Sequence, residues 1–180
     1  MTNAELAILG LVLEKPRHGY EIEQVLEARG MREWTEVGFS SIYYILKKLE
    51  KEGLVKGQRE RQSGRGPERR VYKITRAGEK AWQEATLEAL SGPHLPSTPF
   101  LLGLAGLPGL APEEAVAALR AYQEQLSERK GRLEGRQREL GEHPPLFLEG
   151  MFDYSVRLVN TEMEWLEGFI RKLEAKGASK

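Results

Sequence analysis

The sequence predicts a mainly α-helical fold with one small β-hairpin, and three observations carry that expectation. Residues 40–55, SSIYYILKKLEKEGLV, read as a strongly amphipathic helix stopped by Gly53. Two short segments, Leu54–Gln62 and Glu68–Ile74, flank the turn Ser63-Gly64-Arg65-Gly66-Pro67 and are rich in arginine. In the second half of the chain Leu119, Leu126, Leu133 and Leu140 recur at intervals of seven. A helix followed directly by a basic hairpin is the layout of a winged helix-turn-helix. The leucine repeat adds a coiled-coil-like α-helical domain behind it. The expected division is 1–90 for the winged helix, 91–99 for a Pro-rich linker and 100–180 for a helical dimerisation domain.

The elements follow in order. Thr2-Asn3-Ala4-Glu5 reads as a capping box opening a helix that runs through Leu13. That helix is apolar almost all the way round, with Leu6, Ala7, Ile8, Leu9, Leu11, Val12 and Leu13. A helix without a polar face is buried on more than one side. A small domain lacks the mass for that, so the C-terminal half or a second chain is expected to cover it. Lys15–His18 contains Pro16 and is expected as a turn. A second helix spans Gly19–Ala28 on the stripe Ile22, Val25 and Leu26, with Gly30 just past its end. Gly38 closes the loop before the third helix.

On that third helix, at about 100° per residue, Ile42, Ile45, Leu46 and Leu49 share one sector and face a core. Ser40, Tyr44, Lys47 and Lys51 cluster opposite, flanked by Ser41, Tyr43 and Lys48. Small hydroxyls at a helix start, then aromatics and lysines, suit an element that approaches base edges and phosphates. A merely solvated face would more often interleave Glu with Lys; here Glu50 and Glu52 come only in the last turn. Ser40, Ser41, Tyr44 and Lys47 are placed nearest the bases of double-stranded DNA, and Tyr43, Lys48 and Lys51 at phosphates. Arg65, Arg69 and Arg70 on the hairpin are assigned to the DNA backbone or minor groove.

Charge distribution supports this. The formal net charge is zero, yet Phe39–Lys80 carries twelve Lys or Arg against five Glu, while 91–180 carries eleven basic against thirteen acidic residues. Charge concentrated on one element is the footprint of a nucleic-acid reader.

Other classes fare worse. There is no cysteine, and the three histidines, His18, His94 and His143, are not at metal-ligand spacing. No phosphate loop or serine elbow occurs, so no enzyme, cofactor or metal is expected. No basic segment precedes the apolar stretch Leu6–Leu13, and Phe100–Leu110 is too short to cross a bilayer of about 30 Å. A cytoplasmic protein with no membrane partner is expected. His18 is suited either to a phosphate or to stabilising its turn, Tyr20 to packing or a phosphate, and Trp34 and Trp82 to packing.

Three segments carry a family resemblance. AILGLVLEKPRHGYEI (Ala7–Ile22), SSIYYILKKLEKEGLV and GRGPERRVYKITRAG (Gly64–Gly78) resemble the PadR family of bacterial transcriptional regulators over roughly Thr2–Leu90. His18-Gly19-Tyr20, Tyr43, and Tyr72 with Thr75 match the family's motifs, whereas Arg65 to Arg70 match only the general basic character of its wing. The resemblance implies a homodimeric winged-helix repressor released from its operator by a small aromatic or hydrophobic effector. The alternative is a winged-helix protein–protein adaptor without operator binding.

Thr75 reads as the cap of a fourth helix reaching Leu90. Pro93, Pro96 and Pro99 then mark the boundary. Phe100–Leu107 is expected as a short buried helix. A long helix begins at Pro112, with Glu113 and Glu114 complementing its dipole, and ends at Gly141 and Pro144-Pro145. The last helix, about Leu146 to Ala175, repeats Met151, Ser155, Leu158, Glu162, Trp165, Phe169 and Leu173 at steps of three and four. On spacing alone these two helices suit a hairpin within one chain or pairing between chains. The apolar first helix, the resemblance, and the two-fold symmetry of operators favour a homodimer.

Overall fold

The computed structural model of the protein describes residues 1–35, 38–60, 69–92 and 98–177. The chain divides into two compact units, Met1–His94 and Leu95–Lys180.

The first unit runs α1 (Asn3–Glu14), β1 (Arg17–His18), α2 (Gly19–Ala28), a 3-10 turn at Met31–Glu33, α3 (Phe39–Lys51), β2 (Val55–Glu60), β3 (Arg69–Ile74) and α4 (Arg76–Ser91). The capping box at the start of α1 is formed: the Glu5 amide donates to Thr2 Oγ1 at 3.2 Å and the Thr2 amide to Glu5 Oε2 at 3.0 Å. Ile8, Leu9, Leu11 and Val12 of α1 meet Ile22 and Leu26 of α2 in one core. Ile42, Ile45, Leu46 and Leu49 of α3, with Val55 and Tyr72 of the sheet, complete it. The whole predicted stripe of α3 is therefore inside, which fixes the opposite face outward.

Two expectations for this unit are corrected. The far side of α1 is covered by α4 of the same unit, where Trp82 lies so close that a Cβ on Gly10 would sit 2.9 Å from its Nε1. Lys15–His18 is more than a turn, because Arg17 and His18 pair antiparallel with Tyr72 and Val71. The sheet is thus three-stranded in the order β1-β3-β2.

The helix ends follow local chemistry. Gly53 takes φ +73°, and the Gly53 and Leu54 amides donate back to the Glu50 and Leu49 carbonyls at 3.0 and 2.9 Å. This is a Schellman ending, which needs a residue that tolerates the left-handed region. It turns the chain from α3 directly into β2. Thr75 then caps α4 through its hydroxyl, which accepts from the Gly78 amide at 3.0 Å and donates to the Gly53 carbonyl at 2.7 Å.

The second unit holds α5 (Thr98–Ala105), a 3-10 turn at Leu107–Gly109, α6 (Pro112–Glu139) and α7 (Leu146–Gly177). Helices α6 and α7 pack on each other within the chain. Ala115, Leu119, Leu126 and Leu133 are buried from α6, and Phe152, Ser155, Val159, Leu166 and Ile170 from α7. Gly141, at φ +79°, breaks the path between the two helices.

Three expectations change here. The buried face of α7 is rotated by about one residue from the expected stripe: Leu158 and Trp165 are exposed while Val159 and Leu166 are inside. Helix α7 is apolar on two adjacent faces, so period alone did not select between them. Helix α5 forms but is not buried in the single chain, with Leu101 and Leu102 exposed. Ser91 still belongs to α4, and Thr98 and Pro99 already belong to α5, which narrows the segment between helices; 93–97 lie outside the described residues.

Candidate nucleic-acid interface

The outward face of α3 carries Tyr44, 70% exposed, with Lys47 and Lys51 exposed on the same side. Neither lysine has an ion-pair partner among the described residues. Gly38 caps the helix without a side-chain hydrogen bond, and its first turn contains no acid. Among the described residues, no acid of the first turn compensates the positive end of the helix dipole there. Ser41 is half-buried in that turn. Ser40 is in the same turn, with its side chain outside the described residues.

Tyr43 sits on the shoulder of this face, partly exposed. Its ring lies against the start of α2, where a Cβ on Gly19 would come 2.6 Å from Tyr43 Cε1. Only glycine lets the two helices approach this closely without moving the tyrosine. His18 caps α2, its Nδ1 accepting from the Glu21 amide at 3.0 Å. That is the turn-stabilising option. Tyr20 is exposed.

Lys48, assigned to a phosphate, and Arg70, assigned to the DNA backbone or minor groove, each hold an ion pair within the unit. Lys48 Nζ lies 2.5 Å from Glu5 Oε1, and Glu5 is itself buried. Burial opposes ionisation of Glu5, yet the Lys48 ammonium and the Thr2 amide together hold it below the usual carboxylate range. Glu5 in turn raises the pKa of Lys48. The sequence reading placed Lys48 at a phosphate; the structure places it as a link between α3 and α1. Arg70 Nη2 lies 2.5 Å from Glu50 Oε1, with its guanidinium carbon 5.9 Å from the centre of the Tyr72 ring. The same Glu50 oxygen accepts from the Gly57 amide at 2.9 Å. Arg70 and that amide keep the Glu50 carboxyl low. One carboxylate at the end of α3 therefore ties both strands of the wing to the helix.

Beyond this clamp the wing carries β2 and β3 in register from Val55↔Ile74 to Glu60↔Arg69. Lys56 and Lys73 face each other across it, both exposed. Directly opposed like charges are unfavourable in water alone and are relieved by an anion. The Arg69 backbone lies in β3, with its side chain outside the described residues, as is the whole of Arg65.

Sequence reasoning missed a buried cation. Arg17 is only 4% exposed, and its Nε donates to the Leu11 carbonyl at 2.9 Å. Its other nitrogens reach Glu14 at 2.8 Å and Glu21 at 3.3 Å. Arg29 also pairs with Glu14, and Lys15 with Glu21. The network welds the end of α1 to the start of α2. The signal available was the pair of glutamates flanking a basic tetrapeptide, Lys15–His18.

A helix with a free cationic face, seated on a three-helix core and clamped to a β-wing, defines a winged-helix nucleic-acid-binding domain. Residues 8–84 match the model of the transcriptional regulator PadR-like family. The match lies within the first unit and makes residues 8–84 similar to PadR-like transcriptional regulators.

Solved structures agree on the fold over nearly the whole chain. Bacillus subtilis PadR in complex with operator DNA superposes with a TM-score of 0.74 at 20% identity, covering 94% of this chain and 98% of that one. The protein smu.1604c from Streptococcus mutans gives 0.71 at 26% identity, covering 95% and 99%. The Vibrio cholerae virulence activator AphA gives 0.77 at 17% identity, covering 97% and 99%. No curated protein matches the chain. No helix among the described residues is long and apolar enough to cross a membrane.

Proposed function

We propose that this protein is a homodimeric, sequence-specific regulator that binds an operator in double-stranded DNA, represses transcription there, and is released by a small-molecule effector. The observation that carries the reading is the face of Tyr44, Lys47 and Lys51, exposed and cationic, its lysines without an ion-pair partner among the described residues. Tyr44 and Lys47 enter the major groove with Ser40 and Ser41, while Lys51 and the shoulder residue Tyr43 meet phosphates. Arg65 and Arg69 hold the backbone or the minor groove from the wing. Arg70 and Lys48 act one step back, by setting the wing and the helix in place.

The dimer is supported by the second unit. Its outward residues include Leu102 and Phe147, each 66% exposed, together with Leu101, Leu146, Tyr154, Leu158 and Trp165. A monomer rarely leaves so much large apolar surface in water. Two reading heads on a two-fold axis also match half-sites about 34 Å apart. For the effector, the support is that Bacillus subtilis PadR has been crystallised with p-coumaric acid, a small aromatic.

The decisive measurement is duplex affinity as a function of salt, on DNA fragments recovered by genome-wide footprinting. Neutralising several phosphates per subunit makes affinity fall by orders of magnitude between roughly 50 and 200 mM salt. Lys47→Ala should cost more on the operator than on random duplex, whereas Arg69→Ala should weaken both alike. A monomer in sedimentation, or no duplex binding in dilute buffer, would sink the reading and leave the adaptor.

A further inference from the structure

Helix α5 reaches both long helices of the second unit through the Phe100 side chain. The Phe100 ring lies 5.2 Å from that of Tyr122 on α6 and meets Trp165 of α7 edge-on at 5.9 Å. Trp165 in turn stacks on Phe169 at 4.9 Å. Beneath α5, between the Leu107–Gly109 turn and the first turns of α6, lies a recess of about 280 Å³. Phe100, Gly103, Leu104, Leu107, Leu119 and Tyr122 are among the residues that line it.

Three properties of the recess stand out together. None of its lining side chains carries a charge. Their single hydroxyl, on Tyr122, already donates to Glu162 Oε1 at 2.7 Å. Gly103 lies in the helix, where glycine is a poor helix former, and a Cβ added there would meet nothing within 4 Å. A larger side chain at Gly103, which lines the recess, therefore has open space to occupy.

We propose that this recess is a binding site for a small uncharged aromatic molecule of one or two rings. Its size supports that occupant. A dry apolar cavity of roughly 150 Å³ already accepts benzene, whereas a helix with its side chains is about 10–12 Å across and does not fit. Its chemistry disfavours an anion, because none of the lining side chains is cationic and the one hydroxyl is held by the Glu162 carboxylate. The ligand class therefore differs from a phenolic acid such as the p-coumaric acid bound to Bacillus subtilis PadR. A regulatory consequence rests on the effector reading above, but binding itself does not depend on it.

The test is calorimetric titration of the full chain, without DNA, with 2-naphthol and with 2-naphthoate at neutral pH. The naphthol binds, and the naphthoate binds at least about tenfold more weakly. Gly103→Leu weakens naphthol binding at least about tenfold. Gly131→Leu does not, although its Cβ also enters open space elsewhere on a helix. Equal binding of the two ligands, no heat with naphthol, or an unaltered Gly103→Leu variant overturns the proposal. So does dissociation of the protein by Gly103→Leu, which would make the recess a contact between copies. Naphthol binding by a protein that ignores DNA would reject the regulator reading while leaving this site intact.

Discussion

The two units of this chain solve the same packing problem and leave opposite surfaces. The first closes its core with three helices, a small sheet and α4, and turns Lys47, Lys51, Lys56 and Lys73 outward. The second closes only one side of each long helix and leaves Leu101, Leu102, Phe147, Leu158 and Trp165 in solvent. One surface awaits a polyanion and the other awaits something apolar. What a unit leaves exposed is therefore more informative about its partner than what it buries.

Four experiments break or sharpen the contrast. The largest effect belongs to Leu133→Ala, which removes a fully buried side chain from the α6–α7 contact and should cost about 4 kcal/mol. Chemical denaturation should show the loss in the Trp165 signal. Next, Gly78→Ala drives a Cβ into the Leu54 carbonyl and the Ile74 side chain, costing about 3 kcal/mol in the first unit. If either variant lowered the stability of both units equally, the division of the chain into two units would not extend to their stability.

The third experiment compares adjacent lysines. Lys48→Ala leaves the buried Glu5 carboxylate without its cation and should lower the calorimetric melting temperature, while Lys47→Ala should leave it unchanged. Equal shifts would mean that Lys48 does not serve the fold.

The smallest effects are those of pH. Glu5, Glu14, Glu21 and Glu50 are all held below 4.5 in the folded first unit. The stability they confer is present above that value and drains away as acid is added. In the second unit burial and the bond to Glu162 push Tyr122 up to about 12. Its share is complete below about 10, the unfolded value, and is lost as pH rises towards 12. Tyr122→Phe should flatten the alkaline fall in melting temperature seen by circular dichroism.

Much of the first unit was legible because its signals are local. The capping box of Thr2 and Glu5, the Gly53 stop and the α3 stripe each lie within a few residues, so spacing suffices. Helix α2 was placed at Gly19–Ala28 on the same grounds. Strand β1 was not legible, since two residues cannot display a period of two. The ion pair of Lys48 was not legible, because its partner Glu5 is 43 residues away, beyond any pattern along the chain. Nor was that of Arg70, which depends on how the wing folds against Glu50. In α7 the difficulty was surplus: apolar side chains on two faces offer two stripes, and only α6 selects one.

The exposed face of α3 has a further consequence. Tyr44, Lys47 and Lys51 contribute nothing to the core that holds their helix, so they are free to vary without touching the scaffold. On the proposed function, exchanging Tyr44 and Lys47, the two placed at base edges, should redirect the protein to a different stretch of genome while leaving its melting point where it was. A family built on this chassis can acquire new addresses one side chain at a time.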